Sequence, residues 1–313
     1  MTRTTVPHPL RRVLGTALLA AVAGSLLLAA GASAGVLTPE SGASPNADRV
    51  DSLYKLIFGL GIVVFIAVEG VLIWSMVRFK AKKGRAAAQI HGNTKLEIGW
   101  TVGAAVILVF ITAVTFIQLG GITNPERSDI DAAGQPIAAA PASDTGALFA
   151  STNQPEAPGG DSLKIKVDGQ QYVWRYQYPG PKRVFSYVDM VVPIGRTVTL
   201  DITADDVAHS WWIPELGGKQ DAIPGYTNKT WFKATKRGIF DGQCAEFCGR
   251  NHANMIGRVK AVPFAEYQQW YDRKAAEIQA AQDAGAKQRA EIERSQGGGE
   301  SGEQAAAGGA GAE

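Results

Sequence analysis

The segment Cys244 to Met255, CAEFCGRNHANM, puts two thiols four residues apart, an imidazole four further on and a thioether three beyond that. All four are soft or borderline metal ligands, and thiolate with thioether favours copper over hard cations. His209, in DVAHSWWIPELGG, stands 35 residues upstream at the end of a predicted strand and offers a further imidazole. A blue-copper ion needs one thiolate, two histidines and an axial methionine; the second cysteine suggests two copper ions bridged by two sulfurs, which share an unpaired electron and change geometry little on reduction. Two blander chemistries stay open on the same residues. Cys244 and Cys248 are compatible with a small disulfide in an oxidising compartment, and the set is compatible with Cys2His2 zinc, although the remoteness of His209 and the presence of Met255 fit copper better.

Something must carry these residues to one place. The chain has 313 residues, 46% hydrophobic and 19% charged, with 31 basic residues against 29 acidic. Two cysteines exclude a disulfide scaffold, and the near-neutral balance gives no support to nucleic-acid binding. Leu56 to Val77 is 22 residues long with a single charge, and Ile98 to Leu119 is another 22 with none. At about 1.5 Å per residue each makes a helix of about 33 Å, enough to cross a hydrocarbon core of about 30 Å. With their flanks they predict transmembrane helices over residues 53–79 and 97–120. The loop between them, 80–96, is basic (Lys80, Lys82, Lys83, Arg85, Lys95) and therefore cytoplasmic by the positive-inside rule. Everything after the second helix then faces outward.

Residues 1–34 read as an export signal: Arg3, Arg11 and Arg12, an apolar run from Val13 to Ala30, and small residues at Ala32, Ser33 and Ala34. The alternative is a retained anchor; no cysteine follows the run, so a lipoprotein anchor is not expected. Residues 35–52 form an exported N-terminal segment, and 121–160 an Ala/Pro/Gly linker. From 161 to 262 short β-like runs alternate with turn residues: LKIKV, QQYVWRYQY, RVFSYVDMVV, TVTLDIT, KTWFKAT and MIGRVKAV. About 100 residues of this kind predict a small sandwich or barrel. A helix over 263–296 and a disordered tail over 297–313 complete the chain. This division also sorts the four histidines: His8 falls in the signal and His91 in the inner loop, so both exported histidines, both cysteines and Met255 can belong to one site.

The sequence resembles the cytochrome c oxidase subunit II family, bacterial type, over roughly Asp48 to Val262. CAEFCGRNHANM is similar to that family's dinuclear copper (CuA) motif, and HSWWIPELGGKQDAIPGYTN to the segment holding its first histidine. The resemblance implies an α-helical membrane hairpin with an all-β, cupredoxin-like Greek-key sandwich. In it Cys244 and Cys248 bridge two coppers, His209 and His252 each bind one, Met255 is a weak ligand and Glu246 offers its backbone carbonyl. It further implies that the Glu246 carboxylate reaches toward magnesium at the junction with subunit I, and that Glu97, in KLEIGWT, marks the mouth of a proton-uptake path. The expected partners are subunit I with its haem and CuB, subunit III, a c-type cytochrome donor and membrane lipid, in a bacterial plasma membrane. The expected activity is electron transfer for reduction of O2 to water, coupled to proton translocation; the oxygen chemistry itself belongs to subunit I, and no catalytic residue is expected here.

GQQYVWRYQYP resembles the family's aromatic strand that receives the electron. Tyr172, Trp174, Tyr176 and Tyr178 share one parity and would line one face of a strand. A packed aromatic core face is the bland alternative. Tyr172 stands where the family commonly has tryptophan, while Trp174 keeps the second one. Without the resemblance Glu97 reads as a helix-start acid favoured by the dipole. Glu69, about 12 Å from the inner end of the first span, is a carboxyl inside a membrane helix and so a functional position with no assigned role.

Two rival functions are a membrane-tethered copper-delivery module, whose site would be more open, and a quinol oxidase subunit II, which lacks the copper ligands. A c-type haem domain is excluded for want of a C-x-x-C-H motif. Residues 161–262 hold eight Lys and six Arg against eight Asp and two Glu, a net of +4. That sign predicts a membrane-attached or acidic cytochrome donor rather than a strongly basic one, with Asp201, Asp205 and Asp206 as the place for any local acidic patch.

Overall fold

The computed structural model describes residues 37–40, 42–80, 84, 89–138, 157 and 161–307; the predicted signal lies outside them, as does the linker over 139–156. The chain separates into two units.

The first unit is a helical hairpin, α1 (Pro45–Arg78) and α2 (Thr94–Thr123). Both predicted spans are helical to within a residue; α2 runs past its span at both ends, and α1 ends one residue short of 79 but starts earlier. α1 begins eight residues before the predicted start, inside the segment expected to precede it. Ser44 is extended at the N-cap, Pro45 supplies a φ suited to the first turn, and Asp48 lies where the helix dipole favours an acid. At the start of α2 the Asn93 side chain accepts the Leu96 N–H at 3.2 Å, while Glu97 Oε1 accepts the Asn93 N–H at 3.2 Å. Glu97 thus closes a reciprocal cap on its own helix. Two helices of this length and apolarity leave Phe65, Ile66, Trp74, Val109 and Ile117 exposed, as membrane-facing side chains are.

The second unit is a two-sheet sandwich. One sheet has the order β3 (Phe185–Tyr187), β2 (Val173–Gln177), β1 (Leu163–Gln170), β5 (Thr197–Ala204), β8 (Asn228–Lys233), with β1 and β5 parallel. The other has the order β4 (Asp189–Pro193), β10 (Ile256–Val262), β9 (Gly238–Gln243), with β4 and β10 parallel. A short ribbon, β6 (His209–Trp211) with β7 (Gln220–Ala222), completes it. The inner faces bury Ile165, Val167, Trp174, Leu200, Ile202, Phe232, Met190, Val192 and Val259, which is the expected alternation of inward apolar residues along each strand.

The structure revises four expectations. RVFSYVDMVV is two strands, β3 and β4, in different sheets: Val188 between them has φ 62°, a costly conformation for a β-branched residue, held by Val188 N–H on Trp174 O and Arg258 N–H on Val188 O. His209 begins a strand instead of ending one. Residues 124–138 of the predicted linker pack on the β domain: the Ser128 hydroxyl donates to Asp161 O and accepts Thr197 N–H, and the Lys233 ammonium meets Asp129 at 3.0 Å and Glu126 at 3.4 Å. Polar side chains that are unpatterned in sequence find fixed partners only in the fold. Finally, α3 (Phe264–Ala307) continues into the predicted tail, since adding turns to a formed helix needs no new nucleus. Its first turns dock through Tyr267, Trp270 and Tyr271 around Tyr178.

Candidate metal centre

Three loops build the site. The turn into β6 is organised by Asp206, whose carboxylate accepts the Gln171 N–H at 2.8 Å and the Val207 N–H at 2.7 Å and lies 2.9 Å from His209 Nε2. With that proton engaged, Nδ1 of His209 presents its lone pair inward. The loop after β9 is pinned by Cys244 N–H on Met255 O and Ala245 N–H on Ser210 O, both 2.9 Å. A short 3-10 turn, His252–Asn254, then doubles the chain back so that Met255 points inward.

The sulfurs and nitrogens fall in a chain of contacts: His209 Nδ1 to Cys244 Sγ 3.8 Å, Cys244 Sγ to Cys248 Sγ 3.9 Å, Cys248 Sγ to His252 Nδ1 3.6 Å, and Cys248 Sγ to Met255 Sδ 3.9 Å. The Glu246 carbonyl oxygen turns in to 3.2 Å from Cys244 Sγ, while its side chain is exposed. All six residues singled out from the sequence are therefore together. Cys244, Cys248, Met255 and His209 are buried, and both thiols are free. At 3.9 Å they stand well beyond the roughly 2.05 Å of a disulfide.

Burial raises the Cys244 thiol, but hydrogen bonding to His209 and to the neighbouring backbone outweighs it and brings it down to about 6. Burial, and then the charge on Cys244, push Cys248 up to about 11. His209 is raised: burial opposes its charge, and Cys244 and Asp206 more than offset that. The two thiols are thus pushed in opposite directions, Cys244 toward the thiolate and Cys248 toward the neutral thiol, and the positive charge of a bound metal would favour loss of the second proton.

His209, Cys244 and Cys248 offer atoms within 4.8 Å of one another; His252 lies outside that triangle, past Cys248. The donors are strung along two sulfurs with an imidazole at each end, which suits a soft metal such as copper.

Residues not anticipated hold this arrangement. The Gln171 amide donates to Cys248 O at 2.6 Å. Gly249 has φ 131°, and a Cβ there would come within 2.6 Å of Tyr172 Oη. Gly169 is closed over by His209 and Trp174, 3.0 and 3.1 Å from where its Cβ would be. Only Asp206 carried a sequence signal, an acid three residues before the ligand histidine. Asp206→Asn is expected to leave the fold intact and weaken copper binding by roughly 10–100-fold, measured by chelator competition, because a neutral amide holds the imidazole less firmly.

Of the aromatic stripe, Trp174, Tyr176 and Tyr178 are buried on one face. Trp174 sets its ring edge-on to His209, centroids 5.8 Å apart. Tyr172 lies in the turn before β2, half-buried, with its hydroxyl beside Gly249.

Fold and site together define a membrane-tethered, cupredoxin-like domain with a two-thiol, two-imidazole site suited to a soft metal. Residues 183–262 match the family described as "Cytochrome C oxidase subunit II, periplasmic domain", and residues 32–117 match "Cytochrome C oxidase subunit II, transmembrane domain". The chain is 34% identical over 256 residues to cytochrome c oxidase subunit 2 of Thermostichus vulcanus, covering 75% of this chain and 77% of that one. It is 32% identical to the same subunit of Alkalihalophilus pseudofirmus, covering 69% of this chain and 56% of that relative's length. The crystal structure of the periplasmic domain of subunit II of cytochrome oxidase of Bradyrhizobium japonicum is 35% identical, covers 37% of this chain and 94% of that one, and gives a TM-score of 0.36. The chain belongs to the cytochrome c oxidase subunit II family, and is a membrane protein with an outer domain.

Proposed function

We propose that this chain is the electron-accepting subunit of a haem-copper terminal oxidase in a bacterial plasma membrane, with two copper ions held by His209, Cys244, Glu246, Cys248, His252 and Met255. The observation that carries the reading is the paired arrangement of donors, one imidazole at each end of two facing thiols. When bound, such a pair of coppers supplies a one-electron carrier of small reorganisation. The chain's own residues do the rest. Asp206 orients His209, Gln171 fixes the Cys248 carbonyl, and Met255, fully buried, excludes water and offers its thioether. Burial of these ligands is what separates the site from an open delivery site.

Electrons from a c-type cytochrome enter near Tyr172 and Trp174, which touch the cysteine loop and His209 respectively, and leave toward the haem of subunit I, where O2 is reduced to water. Glu246 turns its carboxylate outward, in keeping with a magnesium contact at the junction with subunit I, and Glu97 serves the mouth of a proton-uptake path coupled to translocation. Subunit III completes the expected partners. The acids near the site support an acidic or membrane-attached donor: Asp205 faces Arg175 at 3.6 Å, Asp206 is spent on His209, and Asp201 sits between Lys166 and Lys229 in register, leaving little acidic patch.

Metal analysis with electron paramagnetic resonance on the purified protein tests the reading. Two coppers and a seven-line mixed-valence signal are expected. One zinc and no signal would overturn it.

A further inference from the structure

The β2–β3 hairpin carries a second cluster of side chains that uses none of the metal donors. Trp174, Tyr176 and Ser186 turn inward and are buried, so Arg175, Gln177, Phe185 and Tyr187 stand on the opposite, outer face. In register Arg175 pairs with Tyr187, and Gln177 with Phe185. With Lys182 and Arg183 of the connecting turn and Gln282 of α3, they line an open cleft of about 440 Å³, a size ordinary for small-molecule sites. The α3 wall is fastened at the turn, where the Tyr271 hydroxyl donates to Pro179 O at 2.9 Å and the Lys182 ammonium meets Asp272 at 2.8 Å. Three cations line the cleft, and among the described residues no carboxylate does. The acids sit behind them. One oxygen of Asp168 accepts Arg175 Nε at 3.2 Å, Arg175 Nη2 at 2.9 Å and Gln177 Nε2 at 2.6 Å, and Asp205 lies 3.6 Å from Nη2. These contacts fix the guanidinium and leave its Nη1 without an acceptor among the described residues. Arg183 is exposed and has no ion-pair partner among them. Phe185 and Tyr187 supply the apolar wall, edge to face with centroids 5.7 Å apart.

We propose that this cleft binds a phosphate monoester carried on a planar ring, the phosphate taken by Arg175, Lys182 and Arg183 and the ring laid against Tyr187 and Phe185. Donors that converge from β2 and from the turn suit a group with three equivalent oxygens better than a flat carboxylate, and a guanidinium offers two parallel N–H donors to such a group. A bare anion would leave the two rings unused. Tyr187, half open to solvent, presents the ring surface that a planar group would cover.

Isothermal titration calorimetry on the purified full-length protein tests the site, with phenyl phosphate, inorganic phosphate and benzoate as probes. Phenyl phosphate is expected to bind with a Kd below about 1 mM. Inorganic phosphate and benzoate are each expected to bind roughly tenfold more weakly, the first for want of a ring and the second for want of the third oxygen. Arg183→Ala removes an exposed side chain that holds nothing in place, so the thermal midpoint should stay while phenyl phosphate affinity falls roughly tenfold. Arg175→Lys keeps a charge beside Asp168 but loses the planar fork, and should weaken phenyl phosphate as well. Tyr187→Ala should weaken phenyl phosphate and leave inorganic phosphate unchanged. No binding of phenyl phosphate up to about 10 mM, benzoate bound as tightly as phenyl phosphate, or an Arg183→Ala protein that binds like the wild type would overturn the assignment.

Discussion

Cys244→Ser is expected to abolish copper binding at the proposed centre. The hydroxyl that replaces the thiol has nearly the same size, so the buried loop after β9 keeps its shape, but it stays protonated at neutral pH and is a hard ligand where a soft one is needed. Cys244 Sγ touches three members of the cluster and is the sulfur that meets His209: His209 Nδ1 at 3.8 Å, Cys248 Sγ at 3.9 Å and the Glu246 carbonyl at 3.2 Å. Losing it disconnects His209 from the other donors. The purified variant should contain less than half the wild-type copper and show no mixed-valence signal. Cytochrome-driven oxygen consumption should fall by more than the roughly 10–100-fold that changes behind a ligand produce. Met255→Leu is the informative contrast. It keeps the volume and both bridging sulfurs, so copper should remain with a shifted potential, because an axial thioether tunes a site more than it holds it. Wild-type copper content in Cys244→Ser would show that the metal is held elsewhere.

Gly242→Ala should be the most damaging substitution that touches no donor. A methyl on Gly242 would overlap the carbonyl oxygen of Trp212 and sit 2.5 Å from Ile213 Cδ1, and a backbone atom cannot swing aside as a side-chain tip can. The same carbonyl accepts the Gln243 N–H, and Cys244 follows directly. Overpacking of this kind costs about 1–3 kcal/mol. For a domain of this size that lowers the thermal midpoint by roughly 3–12 °C, with the cysteine loop displaced and copper loading reduced. Gly218→Ala, where the added methyl meets nothing within 4 Å, is the control and should unfold like the wild type. Equal midpoints for the two variants would mean that β9 can shift away from Trp212 without consequence.

The two membrane spans were readable because 22 apolar residues with at most one charge have few other uses. Most strands of the sandwich were readable from alternation, since β1 and β10 each bury every second residue along much of their length. β9 was not. Its run, GIFDGQ, fully buries only Phe240, and its two glycines are there to let Phe240 and Trp212 approach, which is a property of their neighbours and not of the run. The break at Val188 was equally hidden: RVFSYVDMVV alternates well enough to be one strand, and only the demands of two sheets on either side bend it there. Residues 124–138 looked like linker because Ser128 and Asp129 have no pattern until Thr197 and Lys233 stand opposite them.

The donors themselves were legible one by one. Two cysteines, two outward histidines and a methionine state their softness in their own atoms, and metal preference is a property of donor chemistry that survives being read in one dimension. What holds them was not legible. Asp206, three residues before His209, is the local exception; Gln171 on the Cys248 carbonyl 77 positions away and the approach of Tyr172 to Gly249 join loops from distant strands. Sequence determined that the chain carries soft donors and two runs long and apolar enough to span a membrane, because composition and local period encode both. The tertiary structure alone decided that one imidazole would meet each sulfur and which side chains would fix them there, because those distances arise from how two sheets pack and no local pattern carries that information.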